Sequence, residues 1–353
     1  VKRGFRDKDY IRTHEGLIFT VVGNVHPKDR VLAYLKYIPS RKGMWGSGTQ
    51  RFERSMRHYS ASNAARTLGF LSKYYPQYIL NSRVLSTRFS AVPRASIQEH
   101  FRPEEKAEEV LHSSGRDRLE EIATSLIGLL SERSNVDPRF IGITGSILLG
   151  IHRLDWSDID LTVYGKDNCL KVREALLTLF EEGRGIVKRF AGKTLANWCM
   201  EQASTHALRF REAKALYQRK WSFGTYKERR FSISPVKLEE EVFERFGEHR
   251  YIPVGIVEGK VRVSSSSDSI FLPGTYALRD SQISTKQGTY EVREIVTYES
   301  LYSDIVSDGE TAAVRGKLEK VLSGEGETLF YRVLVGSSEA QGSDYVRPLS
   351  LLG

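Results

Sequence analysis

Apolar and polar positions in the N-terminal part of the chain change places over short runs. Gly16 to Val22 reads as a strand, Asn24 to Asp29 as a turn around Pro27, and Arg30 to Ile38 as the return strand of an antiparallel pair. Arg41 to Gly48 is glycine-rich and reads as a loop. Ser62 to Tyr74 reads as a helix, and Pro93 and Pro103 break the pattern after it. The period then lengthens. Glu104 to Ser131 has a helical rhythm with Leu119, Ile122, Leu126 and Leu129 on one stripe, closed by Asn135 to Pro138. A short apolar strand follows at Phe140 to Ile143, and a second strand at Asp158 to Tyr164. Asp167 is placed to cap a helix running through Phe180, with Leu170, Leu177 and Phe180 facing inward. A further helix is expected near Leu195 to Tyr217 and a third strand at Arg229 to Val236. Beyond Tyr251 the pattern is one of short β-like runs: Val254–Val257, Lys260–Val263, Tyr290–Val296, Ala312–Val321 and Phe330–Val335. Glycine and serine turns separate them, as in a small barrel or sandwich. Ser264 to Ser267 reads as a hairpin loop.

These patterns divide the 353 residues into three segments. Residues 1–102 read as a small N-terminal α+β domain, 103–245 as a mixed core, and 246–353 as a β-rich domain, so the fold class is α+β. Apolar residues make up 40% of the chain, enough for a sizeable core. No stretch approaches the roughly 20 apolar residues that span a bilayer, and no apolar signal region follows Lys2-Arg3. Cys169 and Cys199 are the only cysteines, which excludes a disulfide framework and a thiolate metal cage and leaves both expected as buried helix residues. The expectation is a cytoplasmic protein without membrane contact. A net charge of +9 favours polyanionic partners.

The candidate chemistry lies in the middle segment. Ile141-Gly142-Ile143-Thr144 leads into Gly145-Ser146, and Trp156-Ser157 into Asp158-Ile159-Asp160-Leu161. Alternate residues of a strand share a face, so Asp158 and Asp160 point one way while Ile159 and Leu161 enter the core. Two carboxylates on one face suit Mg²⁺ or Mn²⁺, which is held by one or two carboxylates together with substrate phosphates. Gly145 lets a triphosphate approach the backbone, Ser146 offers a hydroxyl and an N–H, and Ile147-Leu148-Leu149 signals a helix whose positive end would face phosphate. Either half alone is weak: Asp7-Lys8-Asp9 repeats the acidic spacing, and Gly46-Ser47, Gly336-Ser337 and Gly342-Ser343 repeat the dipeptide. None of them stands in such a context.

Together the two halves resemble the DNA polymerase β-type nucleotidyltransferase superfamily, over about residues 105–240. The resemblance implies a short mixed sheet backed by helices. It also implies transfer of a nucleoside monophosphate from a nucleoside triphosphate to a hydroxyl, with Gly145 and Ser146 on the triphosphate and Asp158 and Asp160 on metal. Active members add a third carboxylate on a later strand. Here that strand is Arg230-Phe231-Ser232-Ile233-Ser234-Pro235-Val236, which sets Ser232 and Ser234 beside the aspartates. Glu228 and Glu239 flank it out of register, and Asp155 is another possible donor. Over its whole length the chain also resembles a chiefly archaeal arrangement, through Glu15-Gly16-Leu17-Ile18-Phe19, His26-Pro27 and Ala91-Val92-Pro93.

Arg209, Arg211, Lys214, Arg219, Lys220, Lys227, Arg229 and Arg230, interleaved with Tyr217, Trp221 and Tyr226, form a candidate nucleic-acid-binding region for RNA or single-stranded DNA. The C-terminal segment is expected to be OB-like, with Tyr290, Arg293, Tyr298, Arg315, Lys317, Tyr331 and Arg332 as candidates for a binding face. Two functions follow: a metal-dependent nucleotidyltransferase acting on nucleic acid, or a catalytically silent fold serving as a nucleic-acid-binding module or assembly factor.

Overall fold

The structure is a computed structural model that describes residues 3–55, 61–183 and 185–351, without the side chains of 61–65. In chain order it opens with strands β1 (Tyr10–Thr13), β2 (Ile18–Val21), β3 (Arg30–Pro39), β4 (Trp45–Ser47) and β5 (Gln50–Arg54). Helix α1 (Ala61–Tyr74) follows, then β6 (Ile79–Ser82), β7 (Thr87–Pro93) and β8 (Ile97–Phe101). Helices α2 (Pro103–His112) and α3 (Arg118–Ser134) lead to β9 (Ile141–Thr144), α4 (Gly145–Leu148), β10 (Ile159–Tyr164) and α5 (Lys166–Glu181). Then come β11 (Val187–Lys188), α6 (Gly192–Thr205), α7 (Phe210–Arg219), β12 (Phe223–Tyr226) and β13 (Arg229–Val236). The remainder is β14 (His249–Asp268), β15 (Gly274–Arg279), β16 (Gln282–Thr285), β17 (Gly288–Thr297), β18 (Thr311–Ser323), β19 (Thr328–Val335) and β20 (Tyr345–Pro348). The fold is therefore mixed α+β. No helix among the described residues is long and apolar enough to cross a membrane.

The chain forms two compact units, each built from separated stretches. One comprises Val1–Ser55, Ala91–Phe190 and Trp221–Phe243; the other Met56–Ser90, Ala191–Lys220 and Glu244–Gly353. The first therefore takes in most of residues 1–102 together with the middle segment, and α6 and α7 belong with the β-rich remainder.

The first unit holds two sheets. One runs β4-β5-β3-β2-β1-β8, with the end of β7 paired to β3 through Val31↔Val92. The other runs β11-β12-β13-β10-β9, in which β10 and β13 are parallel and the other neighbours antiparallel. Helices α2, α3 and α5 back it, α5 lying against β10 and β13. Helix α3 begins where Asp117 caps the backbone N–H groups of Leu119 and Glu120 while Glu120 returns a bond to Asp117 N. This cap divides the expected helix of 104–131 in two. The buried stripe of α3 is Leu119, Ala123, Leu126, Ile127 and Leu130, so Ile122 and Leu129 lie beside it. Gly165, not Asp167, stands at the start of α5, whose buried face is Cys169, Val172, Ala175, Leu176 and Leu179. The expected Leu170, Leu177 and Phe180 flank that face. The stretch from Arg41 to Gly48 contains β4, paired to β5 in a hairpin.

In the second unit β14-β15-β17-β19-β18 pair in sequence, and β18 returns to β14, closing a ring of five strands in which only β17 and β19 are parallel. β14 is continuous where two strands and a serine hairpin loop were expected. Ser265 lies at register shifts within it rather than in a turn. Gly259 does not break β14: a Cβ there would lie 3.0 Å from Ile283. The ring encloses Val261, Val263, Tyr276, Ile295, Val314 and Val333. Tyr276 donates to Tyr302 O at 2.6 Å and accepts from Ile305 N, tying the β17–β18 connection to the core. The expected helix of 195–217 is α6 and α7, separated at residues 206–209. Cys169 and Cys199 are buried on α5 and α6.

Candidate functional site

Strand β10 carries Asp160, and Asp158 immediately precedes its first residue. Ile159 and Leu161 are fully buried, and the carboxylates of Asp158 and Asp160 take the opposite face, half-buried. On one side Asp160 stands opposite Thr144 of β9, and on the other opposite Ser232 of β13. The strand turns from Thr144 straight into Gly145, whose φ of +69° is left-handed. A Cβ at position 145 would lie 2.3 Å from Asp160 Oδ2 and 3.1 Å from its Cβ. The glycine-serine turn and the acidic strand therefore meet with no room for a side chain between them. Ser146 is buried and accepts Ile151 N through its carbonyl, while Ser157 Oγ accepts Arg153 N at 2.9 Å. These bonds fix the loop between the two halves.

Helix α4 is a single turn. Its peptide dipoles are too few to sum to the positive helix end expected for phosphate. What the turn supplies is backbone at close range.

The electrostatics are those of a site short of positive charge. Burial pushes Asp158 above the ordinary carboxylate range, Asp160 adds to the rise, and Arg230 offsets part of it. Arg230 Nε donates to Asp158 Oδ1 at 3.1 Å and Ser232 Oγ to Asp160 Oδ1 at 2.5 Å. Ser232 thus occupies the position on β13 where a third carboxylate would be sought. Phe231 and Ile233 are buried as the alternation requires, and Ser234 pairs with Thr162. Glu228 is exposed and paired with Lys188. Glu239 is bound by Arg6 and by Gly4 N. Burial opposes its ionisation, but these bonds prevail and hold it down to about 2. Asp155 is exposed in the turn before the strand. No glutamate or aspartate of β13 joins the pair.

Residues of the N-terminal sheet complete the surroundings, and the sequence reading did not find them. Asp160 acts electrostatically on Tyr10, Lys36 and Tyr37, and Arg54 acts on Asp158. Tyr37 and Phe52 pack in one cluster with Leu148, Leu149 and Ile151, directly after the glycine-serine turn. The available signal was Lys36 itself, a lone charge in the apolar run of β3.

A second group capable of holding a cation is Asp117, Glu120 and His152, whose ligand atoms lie within 4.8 Å of one another. Their present roles are structural. His152 Nε2 bonds Asp117 Oδ2 at 2.6 Å, and the two acids form the cap of α3.

The basic run is divided between the two units. Arg209, Arg211, Lys214, Arg219 and Lys220 belong to the second unit; Arg229 and Arg230 belong to the first. Arg209, Arg211 and Lys214 are exposed on or beside α7. Arg219 is bound by Glu310 at 2.5 Å and by Ile305 O. Lys220 is buried, donates to Ser300 O and Ser303 O, and is lowered to about 8 by that burial. Arg229 donates to Leu154 O. Within the barrel, Lys317 and Arg332 are buried in an ion-pair chain through Glu319, and Arg315 is paired with Glu258. Arg262 and Arg279, by contrast, stand directly opposite each other on β14 and β15, both exposed.

No family model matches the chain, and no solved structure matches it. It is 25% identical over 344 residues, 97% of its own length and 98% of the relative's, to an uncharacterised protein of the archaeon Methanocaldococcus jannaschii.

Proposed function

We propose that the chain is a metal-dependent nucleotidyltransferase that moves a nucleoside monophosphate from a nucleoside triphosphate to a hydroxyl on RNA or single-stranded DNA. The observation that carries this reading is the meeting of Gly145 with Asp160, where a Cβ would fall 2.3 Å from the carboxylate. The mixed sheet β9-β10-β13 with its helical backing agrees with a polymerase β-like core. Asp158 and Asp160 fit a divalent cation, because a desolvated carboxylate repelled by its neighbour is stabilised by one. Mg²⁺ or Mn²⁺ bound there would neutralise and polarise the phosphates. The backbone at Gly145 and Ser146 would take the triphosphate, and Arg230 and Ser232 orient the two carboxylates. The acceptor oxygen forms a bond to the α-phosphorus and releases its proton to solvent as the bond from that phosphorus to the bridging β-phosphate oxygen breaks, and pyrophosphate leaves.

The nucleic-acid acceptor is favoured by the second unit. Its ring order, with the single parallel pair β17–β19, agrees with an OB-like barrel. Like charges directly opposite in a sheet are unfavourable, so the Arg262–Arg279 pair is best accounted for by an anion that lies across it.

A second reading keeps the fold without the turnover. Ser232 in place of a third acid favours a silent nucleotidyltransferase fold that binds nucleic acid. The test is incubation with each α-labelled nucleoside triphosphate, Mg²⁺ or Mn²⁺ and a mixed RNA and single-stranded DNA pool, beside Asp158→Ala/Asp160→Ala. Label entering nucleic acid with the parent alone supports the transferase. Metal-dependent triphosphate binding and salt-sensitive strand binding without product support the silent fold. Equal triphosphate binding by parent and double variant overturns the site.

A further inference from the structure

Two carboxylates and a triphosphate carry more negative charge than a pair of divalent cations cancels. The turn at Gly145 cannot make up the difference, because α4 is one turn long. Fixed cations are needed, and Arg230 already serves Asp158.

The N-terminal sheet holds further positive charge within electrostatic reach of the pair. β1 reaches the site through its lead-in: Thr144 Oγ1, immediately before Gly145, donates to Lys8 O at 2.8 Å. β3 pairs with β2 as Ile18↔Tyr37 and then Phe19↔Leu35, so Lys36 is the extra residue of a bulge. Bulges re-aim side chains, and Lys36 is only 8% exposed in an apolar strand; burial, Arg54 and Lys8 push its ammonium well below the ordinary lysine range, and the charge of Asp160 opposes them. Arg54, at the end of β5, is exposed. Its guanidinium lies 4.8 Å over the Trp45 ring and 6.0 Å from that of Tyr37. Trp45 in turn stands edge-on to Trp156 at 5.0 Å, two residues before Asp158. Trp45 Nε1 is a buried donor with no acceptor among the described residues. A lysine, an arginine and an unsatisfied indole N–H thus gather beside a pair of carboxylates.

We propose that the N-terminal sheet forms the triphosphate subsite of the Asp158–Asp160 site, with Lys36 and Arg54 as its phosphate-binding cations. The proposal rests on the nucleotidyltransferase reading. It assigns a task to residues 1–55 that the resemblance, which covers residues 105–240, does not. Lys36, whose ammonium burial disfavours until an anion meets it, supplies a point charge to bound phosphate, and Arg54 a planar fork held on its aromatic shelf, the two complementary ways of binding phosphate oxygens.

The experiment is calorimetric titration of the full chain with inorganic tripolyphosphate in Mg²⁺ at fixed ionic strength. Lys36→Met, Arg54→Gln and Asp158→Ala/Asp160→Ala are compared with the parent, and thermal unfolding of each is recorded. The expected result is a loss of affinity of about tenfold to a hundredfold in Lys36→Met and in Arg54→Gln, with unfolding midpoints close to that of the parent. Should Lys36→Met fail to fold, the exposed Arg54→Gln decides alone. Parent-like affinity in Arg54→Gln and in any folded Lys36→Met overturns the subsite; if affinity is then lost in the aspartate variant, the nucleotidyltransferase reading stands without it. A parent that binds neither tripolyphosphate nor Mg²⁺–nucleoside triphosphate overturns both.

Discussion

Replacing Gly145 with alanine sets a methyl group where Asp160 now stands. Two costs arise from the structure. The φ of +69° is one that an alanine adopts at a cost of about 1–2 kcal/mol. The new Cβ would also lie 2.3 Å from Asp160 Oδ2, so the carboxylate has to swing aside and give up the hydrogen bond from Ser232 at 2.5 Å. A hydrogen bond to a charged group is worth about 1.5–3 kcal/mol. The sum is about 2.5–5 kcal/mol, and at about 2–4 °C per kcal/mol the unfolding midpoint falls by about 5 °C or more. Metal-dependent triphosphate binding falls by at least about tenfold, because one carboxylate has left its place. A double-mutant cycle with Asp160→Ala separates the terms. With the carboxylate gone the 2.3 Å contact disappears and the tight 3.1 Å contact with the Cβ of residue 160 remains, so adding Gly145→Ala then costs the φ term and a smaller packing term. A Gly145→Ala variant with an unchanged midpoint and unchanged affinity would refute the convergence of the two halves. Strict additivity in the cycle would refute the clash as its mechanism.

Ser232→Asp puts a third carboxylate in register with Asp160. It is expected to lower the midpoint in chelator and to recover, or exceed, the parent in Mn²⁺, so thermal unfolding with and without metal is the measurement. Glu319→Gln leaves Lys317 and Arg332 buried without their shared partner, and a loss of about 3 kcal/mol by denaturant unfolding is expected. Glu310→Gln reports on pH. Arg219 holds Glu310 down to about 2, below its unfolded value, so the ion pair contributes stability above about pH 4.5 that disappears as pH falls towards 2. The variant is therefore expected to be less stable than the parent near neutrality, by about 1 kcal/mol after solvent screening. That gap should close on acidification, as followed by unfolding at several pH values.

Strand β13 was legible residue by residue, since Phe231 and Ile233 alternate with Ser232 and Ser234 and the structure pairs Ser232 with Asp160 as that alternation implies. The β2–β3 pair and helix α1 were legible for the same reason, a clear period over enough residues. What failed was decided by single residues. The break between α2 and α3 is written in Asp117 and Glu120, a capping box hidden inside a continuous apolar rhythm. The turn read at Gly259 is a place where Ile283 packs against backbone, and glycine does not distinguish the two cases. Strand β4 is three residues long, too short for any period to appear. Arg54 left no sign in the sequence and Lys36 only that of a charge in an apolar run, because their place on the side of the aspartates depends on long-range pairing of β3 and β5 and on the packing of Tyr37 and Phe52 against Leu148 and Leu149.

That dependence bears on the choice between turnover and silence. A fold retained only as a scaffold has no reason to keep Asp158 where burial and Asp160 raise its energy, since an asparagine would fill the same space without the repulsion. Nor would it need a lysine in the bulge of β3, where an apolar residue would satisfy the strand. Asp158 costs stability as the protein stands, and that cost falls when a cation meets the carboxylates. Ser232 argues against an efficient hydroxyl-activating base on β13, because a serine hydroxyl neither ionises nor accepts a proton readily near neutrality. On the proposed reading, the site is organised to bind metal and triphosphate together. The activation of the attacking hydroxyl then falls to the acceptor's own environment, and the identity of the acceptor is what the labelled-nucleotide experiment should reveal.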